Sequence, residues 1–134
     1  MTPEQNKKIV QDAYAAFGRG DIPALLSSLT EDVDWHGVIG VGPNVPQGGP
    51  RKGRKEVATF FEQVGGTVDF KRFEPQKFVA DGDVVVVLGF YESVVKTTGK
   101  HFESEWVMVY TMRDGKIAKF REFSDSLGIT NCYG

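Results

Sequence analysis

Near the end of the chain, residues 119–128 read KFREFSDSLG and set Arg121, Glu122 and Asp125 among aromatics. The stretch follows RDGKIA, a hairpin turn feeding a last strand. Last strands of small domains are usually core strands, so these charges either face water or line a pocket. A carboxylate shielded from water can remove a proton next to a carbonyl, because burial raises its pKa toward neutrality. Alternation puts Phe120, Glu122 and Ser124 on one face and Arg121, Phe123 and Asp125 on the other. Asp125 can act as a general acid/base, or it can simply open "DSLG" as an N-cap or Asx-turn. His36 and His101 are the only histidines. His36 alternates with Trp35 and so points the opposite way, while His101 follows a turn and belongs on the surface. Neither has Cys or Asp at ligand spacing, so no metal site is expected. Cys132 lies in the tail with no base beside it in sequence, which argues against a nucleophile.

These residues must be positioned by recognisable elements. Thr2-Pro3-Glu4 starts a helix that Gly18 and Gly20 stop, with Ile9, Val10, Ala13, Tyr14 and Phe17 on one apolar face. Asp21 and Pro23 start a second helix, predicted over 22–29. "VDWHGV" reads as a short strand. Residues 37–53 hold six glycines and three prolines and predict a long loop, a flexible lip over an opening. They lack the pattern of a phosphate loop. A third helix is predicted over 54–64, with Val57, Phe60, Phe61 and Val64 buried. The remainder, 67–124, reads as four antiparallel strands joined at DGD, TTGK and RDG turns. Pro75 marks a bend, and Gly82 and Gly89 are available for curvature. Three helices and a curved antiparallel sheet make an α+β domain with a conical cavity, one domain over 1–134.

Composition narrows the function. With 40% hydrophobic and 25% charged residues and a net charge of −2, the chain predicts a globular core and no basic patch for nucleic acid. One cysteine, an N-terminus without an apolar signal core and no bilayer-length apolar run predict a cytoplasmic protein that does not engage membranes.

The order of motifs carries a resemblance over nearly the whole chain: "FGRGDIPALLSSLTEDVDW", "GRKEVATFFEQV", "VADGDVVVVLG" and "TTGKHFESEWVMVYTMRDGKIAKFREFSDS". It resembles SnoaL-like, ketosteroid-isomerase-related proteins of the nuclear transport factor 2-like (cystatin-like) superfamily. The resemblance implies a cone-shaped α+β fold, usually dimeric through the outer sheet face, and no single activity. It places the face of Phe120, Glu122 and Ser124 inside the cone. The isomerase base would fall at about Gly37, beside His36; the isomerase tyrosine at Ala13, one residue from Tyr14; and the protonated aspartate at Met108. All three depart from the pattern, so true ketosteroid isomerase activity is not expected. The Asp-Arg-Asp set of epoxide hydrolases is incomplete too, because Tyr91, Glu92 and Ser93 supply no Arg-x-Asp. The acid/base aspartate of SnoaL-type polyketide cyclases matches Asp125.

The catalytic candidates are therefore Asp125, Glu122 and His36. Trp35 and Trp106 are expected to form an aromatic wall that, with Phe60, Met108 and Tyr110, favours a flat apolar ligand. The expected protein is a homodimer that binds a small hydrophobic carbonyl compound and performs cofactor-free isomerase, cyclase or lyase chemistry. The alternative is a non-catalytic ligand-binding or dimerisation module of the same fold.

Overall fold

A computed structural model describes all residues from 1 to 134. Helix α1 (Pro3–Gly18) begins at a capping box, in which Thr2 accepts from the Gln5 amide and the Gln5 side chain accepts from the Thr2 amide. Helix α2 (Ile22–Ser27) is capped by Asp21, which accepts from the Ala24 amide at 3.1 Å. It stops two residues short of the predicted end, because Leu29 already pairs with Ile117 as the first residue of strand β1 (Leu29–His36). A three-residue strand, β2 (Pro50–Lys52), lies in the segment expected to be loop. Helix α3 (Gly53–Thr67) runs three residues past its predicted end, through Gly65 and Gly66.

Four long strands follow: β3 (Val68–Asp81), β4 (Val84–Val95), β5 (His101–Arg113) and β6 (Lys116–Phe123). Their hairpins turn where expected, and at the last turn Asp114 and Gly115 both take positive φ, 52° and 78°. A short helix, α4 (Ser126–Cys132), closes the chain. The sheet order is β2-β1-β6-β5-β4-β3. Every pairing is antiparallel except β1 with β6, which is parallel. The four strands expected to be antiparallel are so, and the parallel seam arises where the strand between the helices joins the edge left free by β6.

The sheet is curved and open, and the helices fill its concave side. Strand β3 carries two register shifts, one between Phe70 and Arg72 and one between Pro75 and Lys77, so Pro75 does sit at a bulge. Gly89, paired with Pro75 at that bulge, has a further use. A Cβ there would overlap the indole of Trp106 on the neighbouring strand, so Gly89 makes room for that ring. The core joins Val10 of α1, Val33 of β1, Val57 of α3 and Val85, Val87, Ile117 and Phe120 of the sheet.

Candidate functional site: an apolar cone around Glu122

The concave face of the sheet and the helices form a partly open cavity of about 90 Å³. Nineteen of its 21 lining residues are apolar or aromatic, which leaves Gln47 and Glu122 as the only others. Glu122 is buried at 7% exposure and has no cation beside it. The Tyr91 hydroxyl donates to its Oε2 at 3.0 Å, and the Tyr91 and Ser124 hydroxyls lie 2.6 Å apart. Burial pushes the Glu122 carboxyl up to about 7, only partly offset by the bond from Tyr91.

Directly across the strand pair from Glu122 stands Met108. Two tyrosine hydroxyls converge on its sulfur, Tyr14 from α1 at 3.0 Å and Tyr110 from β5 at 3.8 Å. A thioether is a weak acceptor, so both hydroxyls keep most of their donor capacity. Burial pushes both phenols well above the usual tyrosine value, with Tyr110 adding to the rise at Tyr14 and the charge of Glu122 raising both, so both hydroxyls stay protonated. The cavity thus holds one titratable carboxyl and, gathered on the sulfur of its cross-strand neighbour Met108, two hydroxyl donors.

The other sequence-based candidates divide. Trp35, Phe60, Met108 and Tyr110 all line the cavity. Trp35 stacks on Phe120 at 3.9 Å between ring centroids, and its buried indole N–H has no protein acceptor. Trp106 does not line the cavity. It lies behind it over Gly89, stacked on Phe73 and Tyr14, so the two tryptophans do not form one wall.

Asp125 is placed outside the cavity. Strand β6 ends at Phe123, and Asp125 is exposed as the N-cap of α4, accepting from the Gly128 amide at 2.9 Å. Any side chain at residue 128 would meet that carboxylate, which accounts for glycine there. The capping role is the one the geometry supplies, and Asp125 and Glu122 do not share a pocket. His36 also lies apart, absent from the cavity lining and paired across the parallel seam with Arg121. Burial and the Arg121 charge hold its imidazole below the usual histidine value. Arg121 faces away from the cavity and pairs with Asp34 at 3.0 Å.

The glycine-rich segment does lie over the cone, and it is fastened there. Val38, Val45 and Gln47 are buried. The Ile39 amide donates to the Glu122 carbonyl, and the Gly42 amide donates to Thr130 of α4. Gln47 donates to the Tyr133 hydroxyl at 2.6 Å, and Thr67 at the end of α3 reaches both. At Gly37, the place of the isomerase base, a Cβ would overlap the ring of Phe60. The site offers no room for a carboxylate there. No group of three or more His, Cys, Asp and Glu side chains is arranged to hold a metal ion, and no helix is long and apolar enough to cross a membrane.

Sequence reasoning missed Tyr91, Gln47 and the hydroxyl of Tyr14 as site groups. Tyr91 could have been found by alternation, since Val85, Val87, Gly89 and Tyr91 share one face of β4.

A family model for the SnoaL-like domain matches residues 10–120. No curated protein matches the chain. Among solved structures, a nuclear transport factor 2-like protein of Burkholderia xenovorans is 33% identical with a TM-score of 0.89, the alignment covering 100% of this chain and 99% of that one. TerC, co-crystallised with polyporic acid, is 28% identical with a TM-score of 0.84 over 96% of this chain and 98% of its own. A candidate polyketide cyclase of Xanthomonas campestris pv. campestris shares the fold at 22% identity, with a TM-score of 0.79 over 98% of each chain. This chain belongs to the SnoaL-like family of the nuclear transport factor 2-like superfamily.

Proposed function

We propose that this protein binds a small hydrophobic carbonyl compound in the cone and moves a proton on it, with Glu122 as acid/base and no cofactor. The observation that carries the reading is one lone carboxyl, poised near neutrality, in an apolar cavity whose lining also holds the Tyr14 and Tyr110 hydroxyls on the neighbouring Met108. Glu122 would take a proton from the carbon next to the carbonyl. The two hydroxyls would donate to the oxygen as it gains charge. Such enolisation needs a base and hydrogen-bond donors only. TerC, crystallised with polyporic acid, lends support as a 28% identical relative that holds an organic ligand. Efficient isomerisation of a ketosteroid is not part of the reading, because Gly37 has no base to offer and Met108 no proton to donate.

The cavity sets a size limit. A closed apolar cavity of about 150 Å³ takes up benzene, so a ring-sized ligand would reach past the present 90 Å³ toward the opening or turn lining side chains aside. A cytoplasmic homodimer completes the reading. Leu88, Val107 and Phe123 lie in one cross-strand row on the outer sheet face, and Leu88 and Phe123 are 40% and 44% exposed. A second copy covering that row would bury them.

Acetophenone and ethylbenzene make the test, since they are close in shape and differ by a carbonyl. Acetophenone should bind more tightly by calorimetry. Its methyl protons should exchange with deuterium oxide faster with the protein than with buffer, by about 10²-fold or more. Glu122→Gln should abolish the exchange and keep the binding. Exchange that survives Glu122→Gln refutes the assignment. Binding without any exchange favours the second reading, a non-catalytic binding module, which the capping role of Asp125 supports.

A further inference from the structure

Glu122 is buried in an apolar cavity, yet acid/base work requires it to trade its proton with water. Four hydroxyls lie around it. Those of Tyr14 and Tyr110 point at the Met108 sulfur, which passes no proton on. Only the Tyr91 hydroxyl touches the carboxyl, at 3.0 Å, and it is also 2.6 Å from the Ser124 hydroxyl. Ser124 does not line the cavity and is only half-buried, one residue beyond the end of β6. The three groups form a continuous hydrogen-bonded file from the cavity to the protein surface.

We propose that Glu122 exchanges its proton with solvent through Tyr91 and Ser124, by a path separate from the one the ligand takes. The proposal rests on the reading of Glu122 as the acid/base group. In the charged state Tyr91 donates to the carboxylate and Ser124 donates to Tyr91. To load the carboxyl, a hydronium ion or buffer acid at the surface gives a proton to the Ser124 oxygen and is left as water or its conjugate base, Ser124 passes its own to Tyr91, and Tyr91 passes its own to Glu122. Each O–H bond broken is matched by one formed, and neither hydroxyl is left charged. Release runs in reverse, with both hydroxyls turned about. Ser124 lies outside the cavity, so the outer end of the file does not run through the space the ligand fills. The titratable groups facing the file are few: Tyr14 on α1, Tyr110 on β5, and Asp125, whose charge reaches Tyr91 from the start of α4. No lysine or arginine lines the cavity. Tyr91 and Ser124 are positioning residues in this scheme, since neither is required to touch the reacting atoms.

The experiment follows the carboxyl carbon of Glu122 by NMR across pH in isotopically labelled wild type, Ser124→Ala and Ser124→Thr. The wild type should show one averaged resonance that moves with pH, the sign of rapid proton exchange. Ser124→Ala should show two resonances, charged and neutral, that trade intensity at a nearly unchanged midpoint. Ser124→Thr keeps the hydroxyl and should restore the single moving resonance. A single moving resonance in Ser124→Ala overturns the path, and so does slow exchange in the wild type. Midpoints near 4.5 in all three proteins would instead sink the acid/base reading, while the exchange comparison still judges the path.

Discussion

Replacing Glu122 by glutamine gives the sharpest check on the site, because its effect on stability must depend on pH in a known direction. Burial raises the carboxyl from its ordinary 4.5 to about 7 in the folded protein. The folded state therefore holds this proton more tightly than the unfolded state. Stability from this group is complete below pH 4.5, falls as pH rises through the window to about 7, and stays low above it. At about 1.4 kcal/mol for each pH unit, the loss comes to about 3 kcal/mol. Glutamine is neutral throughout and can still accept from Tyr91, so its unpaired amide costs a constant amount at every pH. The lowered His36 pKa acts in the opposite sense, gaining stability as pH rises toward 6.5, but it is common to both proteins and cancels in the difference. Urea and thermal melts of the two proteins from pH 4 to 8.5 should therefore diverge. Glutamine should gain about 3 kcal/mol, or about 10 °C in Tm, relative to wild type between the ends of the range. Parallel curves, with the difference constant across pH, would refute the claim that Glu122 is buried unpaired.

Asp125→Ala should cost about 1 kcal/mol through the lost cap on α4 and leave the Glu122 titration unchanged by NMR. Gly89→Ala should destabilise by about 1–3 kcal/mol, and Trp106 fluorescence should shift as the indole is displaced. Phe123→Glu on the outer sheet face should convert a dimer to a monomer in sedimentation experiments without moving the Glu122 midpoint. Gln47→Ala should loosen the segment fastened to Tyr133, seen as faster amide hydrogen exchange over residues 38–48.

The hairpins were legible because their chemistry is local: Asp-Gly and Thr-Gly turns declare themselves within four residues. Leu29 was not, since a leucine two residues past Ser27 suits a helix or a strand, and only its partner Ile117 decides. Strand β2 and helix α4 are too short to show a period, and β2 pairs through only three residues. In the site, alternation grouped Glu122 with Phe120, and the family resemblance turned that face inward, where both line the cavity. Choosing between Glu122 and Asp125 depended on where β6 ends, and the cap signal of Asp125 was locally readable as one of two roles. The donor role of Tyr14 was hidden by distance, because its sulfur acceptor Met108 lies 94 residues along the chain. Trp106 was misplaced because its own strand fixes which face it takes, while Gly89 on the next strand fixes how deep it lies.

The parallel seam between β1 and β6 has a consequence for synthesis. Strand β1 leaves the ribosome early, but the edge it needs is among the last segments made. Until β6 emerges, residues 29–36 have only the short strand β2 to pair with, and Trp35 has no Phe120 to stack on. Contacts so far apart in sequence are slow to form, so closing this seam should be the late event in folding, with the four-stranded meander assembled first only after most of the chain is out. Trp35 fluorescence then serves as a clock for that final step. A nascent chain halted before residue 117 would present an unpaired apolar edge, which makes it a natural client for chaperones that hold unfinished chains.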